Sequence, residues 1–464
     1  MFHLFAKVSW LPLLLALALA LLAAPLGCGR NAAPPADPQA EPITPPPAVT
    51  LTVQVAGDVQ LAEGLRLLRG EWKARTGGEL QVDSVSLGEF LAADRLNGDV
   101  VLFPSRLLGT LVERQDLRPL RAATLSSPEM GLGDVFPAIR HAEIRYGGEV
   151  FAFPLGSPPL FNFRQSSTVA ANGPGLQPAV GAVEPTDGLS AAFSFLLRAL
   201  GHTEAYRRQE ALFDAANMKP RLTEPPFVRA LVELTATNST RAAETPLGFA
   251  EAMQMVGSGA ATSTLGWPGR LDEEFAAAAG AAPRDVEFAA VSPPREVYSH
   301  SRQAWEKASH PVGVVLLGVE GRLVAVTTAT RNAVPAFQLA QWLTAGDVAV
   351  GLSSRSTGTL WYRASQAGSS AKWMKGLKVV PGGEPVTKVV AAALATDSPV
   401  LVPRIPAIDE YLSVLADAVR TAPADEATAT AALEGVAAKW EAITERLGRE
   451  KQLGAYRRHL GETE

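Results

Sequence analysis

Cysteine is almost missing from these 464 residues; Cys28 is the only one. No intrachain disulfide can form, and the folded body rests on burial alone. Cationic excess is missing too: 42 Lys+Arg stand against 47 Asp+Glu, a formal net charge of -5. Such a balance gives no basic field for nucleic acid or an anionic membrane surface. The six histidines are scattered without ligand spacing and the six tyrosines lie far apart, which counts against a metal or iron carrier. No Gly-x-Ser-x-Gly elbow, P-loop, His-Glu-x-x-His or Cys-x-x-Cys occurs. An enzyme is therefore disfavoured, although a carboxylate pair assembled in space would leave no trace in the sequence. No metal and no cofactor is expected.

What the chain does have is a globular composition, 47% hydrophobic and 19% charged, over a length suited to two lobes. Lys7 precedes the charge-free apolar run Val8 to Leu26, which ends in Gly27-Cys28-Gly29-Arg30. That is the layout of a bacterial lipoprotein signal over residues 1–27, with Cys28 as the lipid attachment point. Pro25 departs from the usual pattern, in which an aliphatic residue stands there. The alternative is a retained membrane-spanning anchor. Pro12 and the small-residue end favour cleavage, and either reading puts residue 29 onward outside the cytoplasm. Residues 28–50 form a linker; Asn31 to Thr50 holds seven prolines and reads as a semi-stiff spacer.

The body begins at Leu51. Leu51–Ala56 and Glu79–Val85 alternate as strands around a helical stretch, 59–76, with Leu61, Leu65, Leu68 and Trp72 on one stripe. Asp99–Phe103 reads as a buried strand stopped by Pro104-Ser105-Arg106. Strands alternating with helices imply a parallel sheet that binds ligands beyond its carboxyl ends. Strand-like segments broken by Pro and Gly, from Glu149 to Phe163, suit a hinge. Val314–Leu317 and Leu323–Val326 read as strands, Asn332 as the N-cap of a helix carrying Trp342, and the last third as helical, with Leu433, Val436, Trp440, Ile443 and Leu447 along one stripe.

Five segments, in order, resemble the extracellular solute-binding proteins of ABC importers, family 1, the maltose- and sugar-binding group. They are Asp99–Ser105, Tyr146–Pro154 (the family's "YGGKVYGLP"), Gly259–Pro268, Asn332–Trp342, and Arg404-Ile405-Pro406 with Tyr411. The resemblance implies an α/β, two-lobed, type II periplasmic-binding fold, each lobe a mainly parallel sheet flanked by helices, with a helical C-terminal region. Its lobes would be 51–155 with 285–345, and 156–284 with 346–464. It implies a monomeric, lipid-anchored receptor outside the cytoplasm that passes a small polar solute, a sugar or oligosaccharide, to permease subunits. One departure bears on the solute: Phe161-Asn162-Phe163 stands where members carry Tyr-Asn. This loss of hydroxyls counts against an ordinary sugar and hints at a sensor or envelope scaffold on the same fold; a polyamine, organic-anion or metal carrier is the other alternative.

A sugar needs aromatic plates for its C–H faces and fixed polar groups for its hydroxyls. Trp267, in a turn between Gly266 and Pro268, is either core or cleft wall. Trp361 and Tyr362 follow the polar loop Ser356–Leu360 and either clamp it or face the solute. Tyr411 lies on a helical stripe with Ile408, Leu412 and Leu415, and only the resemblance places it near a ligand. Asp58, Ser105 and Arg106 stand at carboxyl ends of predicted strands, where the alternative for the first two is helix capping. Arg106 suits an anionic solute. Asn162 completes the candidate ligand-binding set.

Overall fold

Residues 50–56 alternate between buried and open positions as the sequence predicts, and the strand Thr50–Ala56 pairs in parallel with Glu79–Val85 over its whole length, from Thr50 opposite Glu79 to Ala56 opposite Val85. The computed structural model describes residues 49–166, 180–239, 246–270, 285–308, 312–380, 384–421 and 425–463. The signal, Cys28 and nearly all of the spacer lie outside these residues.

Two sheets organise the body. The first has five strands in the order Glu79–Val85, Thr50–Ala56, Val100–Pro104, Arg322–Val326, Phe153–Gly156; the second has four, Val286–Ala289, Phe161–Gln165, Ala261–Gly266, Val180–Ala182. In each sheet a single strand runs against the rest: Arg322–Val326 in the first and Phe161–Gln165 in the second. Each is the first strand that its own sheet receives after the chain has been in the other sheet. Each enters at the carboxyl end of its neighbour, Arg322 opposite Pro104 and Phe161 opposite Gly266. The crossings therefore meet the carboxyl ends of both sheets, the place where ligands of such sheets bind.

Helices cover the sheets much as the periodicity predicts. The stretch 59–76 is two helices, Val59–Leu67 and Arg69–Thr76, because the Leu68 N–H turns back to Leu65 O at 3.0 Å and tightens the turn. Trp72 still reaches the core and packs on Trp342 at 5.4 Å between ring centroids. Asn332 stands at the N-cap of Ala333–Leu343, but its side chain makes no capping bond. The C-terminal stripe holds: in Glu426–Leu447 the residues Leu433, Val436, Trp440 and Ile443 are buried. Trp440 stacks on the ring of Phe213 at 4.9 Å, and Phe213 meets Tyr411 and Tyr456 edge-on.

The packing of one strand and two helices differs from the expected boundaries. Val286–Ala289, expected in the first lobe, pairs with Phe161–Gln165 in the second sheet. Gly346–Ser353, expected in the second lobe, packs on Val59–Leu67 and on the Phe153 strand. The last helix, Arg449–His459, returns to Leu108–Glu113 beside the first sheet, where Arg458 grips Glu113 and Tyr146 Oη donates to Ala455 O at 2.8 Å.

Candidate functional site

Asp58 follows the first strand directly, and its two oxygens do different work. Oδ1 accepts from Leu61 N at 3.0 Å and caps the Val59–Leu67 helix. Oδ2 receives Arg322 Nε at 3.1 Å and Ser356 Oγ at 2.5 Å. Arg322 also donates to Glu320 Oε2 at 2.8 Å. The pairing is buried, so losing either partner strands a charge away from water.

The loop Ser356–Leu360 is bonded to this cluster through Ser356 and also reaches the second sheet. Gly321 N donates to Gly358 O at 2.9 Å on one side; Trp267 Nε1 donates to Thr357 O at 2.9 Å on the other. Trp267 stands just past the carboxyl end of Ala261–Gly266, nearly buried, with its ring edge-on to Phe249 at 5.3 Å. One polar loop is thus bonded to the carboxyl-end residues of both sheets.

Beside Gly321 lies a buried carboxyl, Glu143. Its Oε1 accepts from Ser157 Oγ at 2.5 Å, in the first crossing between the sheets. Burial pushes Glu143 up to about 7, against the pull of the Ser157 and Ser105 hydroxyls and the Arg404 cation. Gly321, in the second crossing, has φ +123°, and a Cβ there would sit 2.8 Å from Ser157 Oγ and 3.1 Å from both Glu143 Oε1 and Ser105 Oγ. Only glycine fits there, on steric and backbone grounds alike.

The expected ligand-binding residues divide. Asp58, Ser105 and Trp267 come together at this junction. Arg106 is nearby in sequence but committed elsewhere: its Nε and Nη2 form a bidentate pair with Asp409 at 2.7 and 3.2 Å, tying the Ser105 turn to the helix Ile408–Thr421. Asn162 is half-buried on its strand, opposite Leu265 and Ala289. Three aromatics are core. Trp361 is fully buried and packs edge-on with Trp373 at 6.0 Å. Tyr362 is fully buried and donates to Thr344 O at 2.7 Å. Tyr411, also fully buried, shares a hydrogen bond with Thr444 at 2.9 Å inside the Phe213 cluster, as its helical period alone predicts. Sequence reasoning missed Glu143, Glu320, Arg322 and Ser356. The polar loop that carries Ser356 was visible, but nothing in the sequence marks the others. Among the described residues, no group of three or more His, Cys, Asp or Glu side chains is placed to hold a metal ion.

No family model and no curated protein matches the chain. Solved structures do. An ABC transporter solute-binding protein from Agrobacterium radiobacter K84, in complex with ribitol, is 18% identical with a TM-score of 0.62, over 85% of this chain and 98% of that one. A solute-binding protein of Thermotoga lettingae TMO, bound with α-D-tagatose, gives 14%, 0.59, 85% and 100%. A cyclo/maltodextrin-binding protein complexed with maltotetraose gives 17%, 0.57, 85% and 97%. The fold is that of the two-lobed solute-binding proteins of ABC transporters.

Proposed function

We propose that this chain is the extracytoplasmic receptor of an ABC importer, tethered by lipid at Cys28, which holds a sugar or polyol between its two sheets and hands it unchanged to a permease. It works as a monomer and makes or breaks no bond in the solute. The observation that carries this reading is the loop Ser356–Leu360, bonded at once to the carboxyl-end residues of the first sheet and to Trp267 of the second. A solute that replaces such contacts bridges both halves, and a ligand that prefers the bridged state shifts the population towards it. The proteins of like fold carry ribitol, α-D-tagatose and maltotetraose, which makes polyhydroxylated solutes the first to try.

In this reading Trp267 supplies the flat face for sugar C–H groups once its Nε1 leaves Thr357 O, and the Asp58–Arg322 pair supplies fixed polar groups. Calorimetry of the full chain with ribitol, D-mannitol, α-D-tagatose and maltotetraose is expected to find at least one saturable binder. Trp267→Ala is expected to weaken that binder about tenfold or more while the melting curve stays cooperative. Absence of binding across a wider panel of polyols and oligosaccharides would overturn the solute class; unchanged affinity in the variant would remove Trp267 from the site.

A further inference from the structure

Both crossings between the sheets run past one carboxyl. Glu143 Oε1 accepts from Ser157 Oγ in the first crossing, and Gly321 of the second lies so close that a Cβ on it would sit 3.1 Å from the same oxygen. Glu143 belongs to neither crossing; it ends the helical turn Ile139–Glu143. Gly321 is also where the second crossing is fastened, since Ser105 N donates to Gly321 O at 3.2 Å and Gly321 N to Gly358 O at 2.9 Å. One side chain therefore stands against both connections.

Its second oxygen makes the contact depend on a proton. Glu143 Oε2 is buried and has no hydrogen-bond partner among the described residues, and neither has the nearby Ser105 Oγ. A buried oxygen without a donor costs a neutral carboxyl little and an ionised one much. The charged groups around it are committed elsewhere. Gly156–Leu160, in the first crossing, carries no charge. In the second, Arg322 is spent on Asp58 and Glu320; beside Ser105, Arg106 is spent on Asp409. On its own turn Arg140 donates to His141, which pairs with Asp397; next to it Arg145 donates to the Arg140 and Gly148 carbonyls, and Tyr146 to Glu113. Arg404 gives its guanidinium to the carbonyls of Ala142, Glu143 and Arg145 and to His459 Nδ1, and makes no ion pair with the carboxyl among the described residues. His459 stays neutral, pushed well down by burial and by Arg404. Burial accordingly raises Glu143 to about 7.

We propose that Glu143 is a proton-operated catch on the hinge: neutral, it holds the two crossings together; on losing its proton to solvent it draws water between Ser157 and Gly321 and lets the halves move apart. No other bond changes. That such a movement releases solute rests on the receptor reading, whereas the catch itself does not.

The test therefore uses no solute. Cys28→Ser with Leu67→Cys and Tyr206→Cys places the only two cysteines of the full chain at exposed positions, one on a helix of the first half and one in the second. Energy transfer between pH-insensitive dyes on them is expected to fall from pH 6 to pH 8.5 with a midpoint near about 7. With Glu143→Gln added, the transfer is expected to keep its pH 6 value throughout. Ser157→Ala removes a hydrogen bond that favours the ionised form, and is expected to move the midpoint upward. The proposal is overturned if transfer is the same at both pH values, if the change persists with Glu143→Gln, or if the midpoint does not rise with Ser157→Ala.

Discussion

Glu143 shows how much a single side chain can carry at the junction. Its carboxyl is buried among Ser157, Ser105, Gly321 and the Arg404 cation, and its folded-state value is raised from the usual 4.5 to about 7. A raised carboxyl binds its proton more tightly in the folded chain than in the unfolded one. Its contribution is therefore fully present below about pH 4.5 and is lost as pH rises through about 7. At about 1.4 kcal/mol per unit the loss is on the order of 3 kcal/mol. We expect Glu143→Gln to narrow the difference in urea midpoint between pH 5 and pH 8.5 relative to the unaltered protein. Equal differences in the two proteins would show that Glu143 titrates as an ordinary carboxyl. None of this was legible in the sequence, where Glu143 is one acid among 47 Asp+Glu. Asp58 was half legible. Its capping role follows from its place before a helix, but its ion-pair partner Arg322 is 264 positions away and its Ser356 partner 298, and no local pattern links them.

Elements were the most readable scale, because periodicity reports which face is buried. The stripe of Glu426–Leu447 needed only the steps of three and four between apolar residues, and the same rule placed Tyr411 in the core although the family resemblance suggested the ligand. Trp440 is the keystone of that packing, stacked on Phe213 and donating from Nε1 to Tyr411 O at 2.8 Å. Trp440→Ala is expected to cost about 3–5 kcal/mol, read from denaturant unfolding, with solute affinity unchanged under conditions where the variant is folded. A cost below about 1 kcal/mol would mean that the helix docks without this ring. Trp361 and Tyr362 were less readable for a physical reason. Outside a regular element there is no period, so a loop aromatic gives no sign of which way it turns.

At the scale of the whole molecule the crossings matter most. Phe153–Gly156 leads through Ser157 into Phe161–Gln165, and Arg322–Val326 brings the chain back, so few segments connect the two sheets. Gly156, with φ +140°, is as constrained as Gly321: a Cβ there would lie 2.6 Å from Leu360 O. If the halves close on a solute, small-angle scattering with saturating ligand is expected to give a smaller radius of gyration than without it. An unchanged radius with proven binding would replace a hinged receptor by a rigid one. Moving a two-state equilibrium from 1:99 to 99:1 takes roughly 5.5 kcal/mol of preference, which micromolar affinity, near -8 kcal/mol, is large enough to supply.

By itself the sequence determined the strands, most helices, the α/β class and the absence of any disulfide, since these depend on neighbours a few residues apart. It also brought Asp58, Ser105 and Trp267 into view, because strand ends and turns are local features. The three-dimensional packing was needed to see that Arg106 is spent on Asp409, that Tyr411 and Tyr362 are core, that Arg322 and Ser356 meet on Asp58, and that Glu143 is buried against Ser157. The physical reason is that burial and ion pairing are set by residues far apart in the chain, and periodicity carries no information about which distant charge will face which.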